Sequence, residues 1–111
     1  MEWIQITSEK QINQIVDLSK ERTQVIFKHS TRCSISSVAW NRVQKSGRST
    51  NIDFYFLDLI AYRSLSNKIA QIFKVHHESP QVLVIKDGQC IFDESHLSIS
   101  MDEILNQVNA A

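Results

Sequence analysis

Proline, glycine and cysteine are all scarce in this chain: one, two and two residues among 111. Two cysteines, Cys33 and Cys90, are too few for a disulfide scaffold, and a reducing compartment keeps both as thiols. With so little glycine and proline there is no linker, low-complexity tract or repeat, so residues 1–111 read as a single domain. An excess of one charge is also missing. Twelve basic and twelve acidic side chains cancel, leaving no global field to draw nucleic acid or an anionic membrane. The basic residues are scattered rather than striped, which argues against a nucleic-acid partner. No apolar run approaches the ~20 residues of a membrane span. The start, Met1-Glu2-Trp3-Ile4-Gln5, lacks the basic-then-apolar plan of a signal peptide. The expectation is a cytoplasmic protein without nucleic-acid or membrane partners.

What is present is 42% hydrophobic residues, enough for one modest core. Trp3 to Ile6 alternates as a short strand does. Ser8 and Gln11 then form a capping-box pattern opening a helix whose apolar face is Ile12, Ile15, Val16 and Leu18. Val25 to Phe27 is a buried-type strand. From Ser34 to about Lys45, Ile35, Val38, Ala39 and Val43 recur at helical spacing, and Gly47 with Arg48-Ser49-Thr50-Asn51 ends that helix. Asp53 to Asp58 is an aromatic-rich third strand. Leu65, Ile69, Ile72 and Phe73 mark a third helix. Val82 to Ile85 is the strongest strand signal, and Asp87-Gly88 turns it into a hairpin with Gln89 to Phe92. Ser100 and Glu103 form a second capping box for a last helix, with Ile104, Leu105 and Val108 inward. The order βαβαβαββα, with right-handed crossovers between the first strands, predicts an α/β fold. Its central mixed sheet carries helices on both faces, and the element order is that of the thioredoxin fold.

Cys33 sits between the second strand and the second helix, in Lys28-His29-Ser30-Thr31-Arg32-Cys33-Ser34-Ile35-Ser36. A thiol at a helix N-terminus faces free backbone N–H groups and the positive end of the helix dipole, which favour thiolate. Lys28, His29 and Arg32 are cationic groups close to it in sequence. Buried free cysteines are common, but a cysteine placed after this strand in this element order is a candidate nucleophile. Three residues on, where a dithiol enzyme carries its second cysteine, stands Ser36. Its hydroxyl can hydrogen-bond a thiolate or satisfy a backbone N–H in the first helical turn. It cannot close a disulfide, so the chain is built for one-cysteine chemistry.

Ser79-Pro80 directly precedes the fourth strand, where a proline interrupts pairing only at the strand start. Taken alone, an X–Pro bond in that position favours trans. His76, His77 and Glu78 lead into it. Their spacing matches no zinc pattern, so no metal site is expected; one histidine packs near the cysteine loop and the other is solvated. Cys90 lies just after the hairpin turn towards a sheet edge, and reads as a packed structural thiol.

Thr31-Arg32-Cys33-Ser34-Ile35-Ser36, after Phe27-Lys28-His29-Ser30 and with His77-Glu78-Ser79-Pro80-Gln81 before the fourth strand, resembles the monothiol bacilliredoxins of the thioredoxin-like superfamily. The resemblance spans essentially the whole chain. It implies a thioredoxin-like fold and a cis Ser79–Pro80 bond lying against the active cysteine, with the Ser79 backbone pairing a bound thiol substrate. It further implies Cys33 as catalytic residue, supported by Arg32, Ser34, Ser36, Ser79 and Pro80. No bound cofactor is implied. Bacillithiol is the co-substrate and S-bacillithiolated client proteins are the partners, so the implied reaction is thiol–disulfide exchange that removes bacillithiol. Because bacillithiol carries malate carboxylates, Arg32 and Lys28 are candidate anion contacts. Ser34 stands where the family commonly has proline; serine is well tolerated at helix starts, so the nucleophile stays in place. Two binding-module readings compete. One is an iron–sulfur carrier like the monothiol glutaredoxins, whose Gly-Phe-Ser is absent here. The other is a thioredoxin-fold adaptor with a redox-sensing cysteine.

Overall fold

Every residue of Thr23–His29 is buried, which is the signature of a strand covered on both faces. This is β2, the middle of a five-stranded sheet ordered β1-β3-β2-β4-β5. The computed structural model describes residues 3–30, 32–44 and 51–110. Its elements are β1 (Ile4–Gln5), α1 (Glu9–Leu18), β2, α2 (Ser34–Gln44), β3 (Ile52–Asp58), α3 (Arg63–Phe73), β4 (Gln81–Lys86), β5 (Gln89–Ser95), a 3₁₀ turn (His96–Ser98) and α4 (Met101–Ala110). Thr31, the helix end at Lys45, and Gly47 to Thr50 of the predicted breaker lie outside the described residues. β1, β3 and β2 run parallel, while β4 and β5 are antiparallel. The α/β order and the mixed sheet are those predicted.

Alternation along β2 divides the interior in two. Val25 and Phe27 point into a core closed by Ala39 and Val43 of α2 and by Met101 and Ile104 of α4. Ile26 points the other way, into a core with Ile12 and Ile15 of α1 and Ile69 and Phe73 of α3. On the α2 side aromatic rings fill the space under the helix. Trp40 lies 4.6 Å from Phe56, 5.0 Å from Trp3 and 5.3 Å from Phe27, centroid to centroid.

The first capping box forms in full, and the second through its backbone half. Gln11 Oε1 accepts from the backbone N–H of Ser8 at 3.1 Å and of Thr7 at 2.7 Å, and Glu103 N–H donates to Ser100 Oγ at 3.2 Å. The expectation for Leu18 needs correction, and the packed face of α2 is not the one its apolar spacing marks. Ile35 and Val38 are exposed (43% and 49%), and α2 turns Ser36, Ala39 and Val43 inward instead. Ser36 is drawn in because its hydroxyl satisfies a buried backbone N–H, described below. Leu18, at the last position of α1, is also exposed. β2 extends beyond its apolar trio, because the ladders to β3 and β4 carry the polar Gln24 and Lys28 with it.

The β4–β5 hairpin turns on Asp87 and Gly88 at φ 53° and 78°, the two left-handed residues of a type I′ turn. Ser19 at the end of α1 braces it, its carbonyl accepting from Asp87 N–H at 2.9 Å and its Oγ from Gly88 N–H at 2.8 Å. A Cβ on Gly88 would meet only Val16 Cγ1, at an ordinary 3.8 Å. The cost of Gly88→Ala is therefore backbone strain alone, about 1 kcal/mol, to be read as a lowered urea midpoint with an unchanged slope.

Candidate active site at the exit of strand β2

β2 ends at His29, and the chain turns at once into α2. Cys33 N–H donates to Ser30 O at 3.1 Å, and Cys33 O accepts from Ser37 N–H at 3.1 Å. Cys33 is thus the N-cap of α2, half-exposed, with the free N–H end of the helix beside it. Arg32 and Ser34 flank it and are exposed. Ile35 and Val38 continue the open surface along the helix.

The other predicted half of the site lies across the sheet at the same end. Lys28 pairs with Gln81 at the start of β4, and the residues before Gln81 are Ser79 and Pro80, joined by a cis peptide bond. Pro80 is buried. Its carbonyl accepts from His96 N–H at 3.0 Å, and Gln81 Nε2 donates to His76 O at 2.9 Å. Ser79 Oγ and Gln81 Oε1, on either side of the proline, are buried without a hydrogen-bond partner among the described residues.

Ser36 takes the backbone role rather than the thiolate one. It is fully buried; its Oγ accepts from Ser30 N–H at 2.9 Å and lies 2.7 Å from His29 Nδ1. Both contacts point into the protein and lock the turn that presents Cys33. His29 is buried beneath it, 5.5 Å from the Phe56 ring and 6.3 Å from Trp40. Burial pushes its pKa down, against the opposing pull of Asp58 and of the Ser36 contact. It is a neutral packing group, not a cation beside the sulfur.

Lys28 differs most from expectation. Its side chain is fully buried on the α3 side of β2. Nζ donates to Ser66 O at 3.1 Å and lies 3.4 Å from His77 Nδ1, so it is no contact for an external anion. His77 is half-buried and its pKa is pushed down, first by burial and then by Lys28 and Arg63. His76 is solvated, with Glu78 between it and His96 at 3.5 Å from each. The Lys28–Ser66–His77 cluster was not read from the sequence. Its one signal is a lysine set between Phe27 and His29 in a buried strand, where period two sends it to the α3 face.

Cys90 is remote. It pairs with Ile85, which pairs with Gln24, so it sits at the opposite end of the sheet from His29. Five strand residues separate those levels, about 17 Å. Its Sγ donates to Phe92 O at 3.3 Å, and burial pushes its pKa up to about 11. It is a packed thiol.

Residues 4–104 match the family described as monothiol bacilliredoxin BrxC. The chain belongs to the monothiol bacilliredoxin family. Among solved structures it is similar to an oxidoreductase with a thioredoxin fold, at 28% identity and TM-score 0.80 over 94% of this chain and 91% of that one. It is also similar to thioredoxin from Malassezia sympodialis (18% identity, TM-score 0.73, 98% and 90% covered). Thioredoxin f from spinach chloroplast matches at 11% identity and TM-score 0.72, with 98% and 92% covered. The last two share the fold. Together the bacilliredoxin family and the thioredoxin fold make this chain a thiol oxidoreductase.

The buried lysine makes stability depend on pH. Burial brings Lys28 from 10.5 to about 8. Between those values the unfolded chain still binds a proton that the folded one has released, so stability rises with pH across that window and is lost again as pH falls through about 8. Lys28→Met lacks this titration. Between about pH 7 and pH 9.5, urea unfolding is expected to show wild type gaining about 2 kcal/mol relative to Lys28→Met.

Proposed function

We propose that this bacilliredoxin removes bacillithiol from S-bacillithiolated proteins by monothiol exchange at Cys33. The observation that carries the reading is the isolation of Cys33 at the α2 N-cap. Ser36 occupies the second position with its hydroxyl turned inward, and the other thiol is packed at the far end of the sheet. The Cys33 thiolate attacks the bacillithiol sulfur of the client's mixed disulfide. That S–S bond breaks, the client leaves as a thiolate and takes up a proton, and a Cys33–bacillithiol disulfide forms. A second bacillithiol thiolate then attacks the bacillithiol sulfur on Cys33, releasing bacillithiol disulfide and restoring the Cys33 thiolate. Exchange is fastest when the attacking thiol titrates near ambient pH.

The supporting roles follow from position. Ser34 opens the helix, Ser36 locks its first turn, and Ser79 and Pro80 form the opposite wall, where the Ser79 backbone pairs with the incoming disulfide. Arg32, exposed beside Cys33, is the contact for the malate carboxylates, Lys28 being buried. The reading places the protein in the cytoplasm, where a reducing thiol pool returns Cys33 to its active form.

Intact mass after incubation with a bacillithiolated protein tests the reading. Wild type and Cys90→Ser are expected to acquire one bacillithiol, and Cys33→Ser none; an internal disulfide requiring Cys90 would overturn the one-cysteine mechanism. Arg32→Ala is expected to raise KM for the same substrate about two- to fivefold, the scale of an exposed ion pair, with kcat unchanged. An unaltered KM would remove Arg32 from the binding site.

A further inference from the structure

We propose that Lys28 is a positioning residue for exchange at Cys33. Its buried ammonium, acting through His77, holds the segment from His76 to Pro80 against β2. The inference rests on the function proposed above and assigns that site a support lying beneath the sheet.

Lys28 is fully buried, and its two partners among the described residues, Ser66 O and His77 Nδ1, carry no negative charge. An ammonium taken out of water without a counter-ion is costly, and an apolar side chain of similar volume fills such a place at least as well. Packing alone does not account for a lysine here. What the ammonium does that a methyl cannot is donate across a gap between three elements. β2 supplies Lys28, α3 supplies Ser66, and the segment entering β4 supplies His77. Ser66 Oγ also reaches His77 Nδ1, at 3.3 Å. An ammonium can only donate, so Lys28 Nζ beside Nδ1 requires that nitrogen to be an acceptor, and the arrangement selects neutral His77. Burial and the neighbouring charges of Lys28, Arg63 and His76 favour that state, and Glu78 opposes it.

The contact joins the two halves of the site. β2 carries Cys33 just beyond its end, and His77 lies three residues before Pro80 on the opposite wall. The same segment is tied on its far side by His96 N–H to Pro80 O. Lys28 fixes it to the strand that delivers the sulfur, and so sets the distance between nucleophile and substrate-facing backbone.

Lys28→Met tests this, since it keeps the shape and removes the donor. The variant is expected to melt at the same or a higher temperature and to react with iodoacetamide at Cys33 at the wild-type rate. Its exchange with a bacillithiolated protein is expected to fall about ten- to hundredfold, the scale of a misplaced wall. His77 titration, followed by NMR of its ring, is expected to move up once the adjacent cation is gone. His77→Phe removes the acceptor instead and is expected to lose a similar factor, with the double variant losing no more than either single. Exchange at the wild-type rate in Lys28→Met overturns the inference, as does alkylation falling in parallel with exchange or an unmoved His77 titration. If Cys33→Ser exchanges as fast as wild type, the reading of Cys33 itself falls, and the inference falls with it.

Discussion

The ladder between β2 and its neighbours is the constraint on which everything else hangs. β2 pairs with β3 from Thr23 to His29 and with β4 from Gln24 to Lys28. With both edges paired over Gln24–Lys28 and both faces covered, the strand is buried along its whole length. The strand runs to His29, where the chain leaves the sheet and turns into α2. Its alternation decides which side chains serve which layer: Phe27 and His29 lie under α2, while Ile26 and Lys28 lie under α1 and α3. The candidate site sits at the exit of a strand buried along its whole length.

The exit itself is held by a small polar knot. Ser36 reaches back from the first turn of α2 to the Ser30 amide and the His29 ring, so the turn at Cys33 is fixed from beneath by buried groups. In a buried place every polar atom needs a partner, and one hydroxyl here answers two of them. Replacing a second cysteine by serine thus does more than delete a thiol. The side chain at that position becomes part of the scaffold.

Much of this was legible in the chain because the decisive signals were local. Ser8 with Gln11, Ser100 with Glu103, and Asp87-Gly88 each specify their geometry within four residues; the first box and the turn formed as read, and the second box through Glu103 N–H to Ser100 Oγ. The element order and the placement of Cys33 at a strand-to-helix junction followed from periodicity. What local pattern could not supply was the third dimension. Ile35 and Val38 have helical spacing with Ala39, yet the helix is rotated by the demand of a buried amide for the Ser36 hydroxyl. Lys28 and His29 carry positive-charge potential on paper, but both are desolvated; one meets α3 and a histidine 49 residues away, and the other is wrapped in aromatic rings. The Ser79 and Gln81 side-chain oxygens, without a partner among the described residues, are equally invisible in sequence, because satisfaction is a property of neighbours. The cis bond at Ser79–Pro80 came from the resemblance rather than from the residues.

The separation of the two thiols has a kinetic meaning. Cys90 is anchored by Phe92 O at the other end of the sheet, so nothing within the chain can discharge a sulfur adduct on Cys33. On the proposed chemistry, turnover is then a bimolecular event in its second half, with a rate proportional to the free thiol around the protein. When that pool is full, the charged form is brief. When it is depleted, the charged form persists and accumulates, and its occupancy becomes a gauge of the cell's reducing capacity.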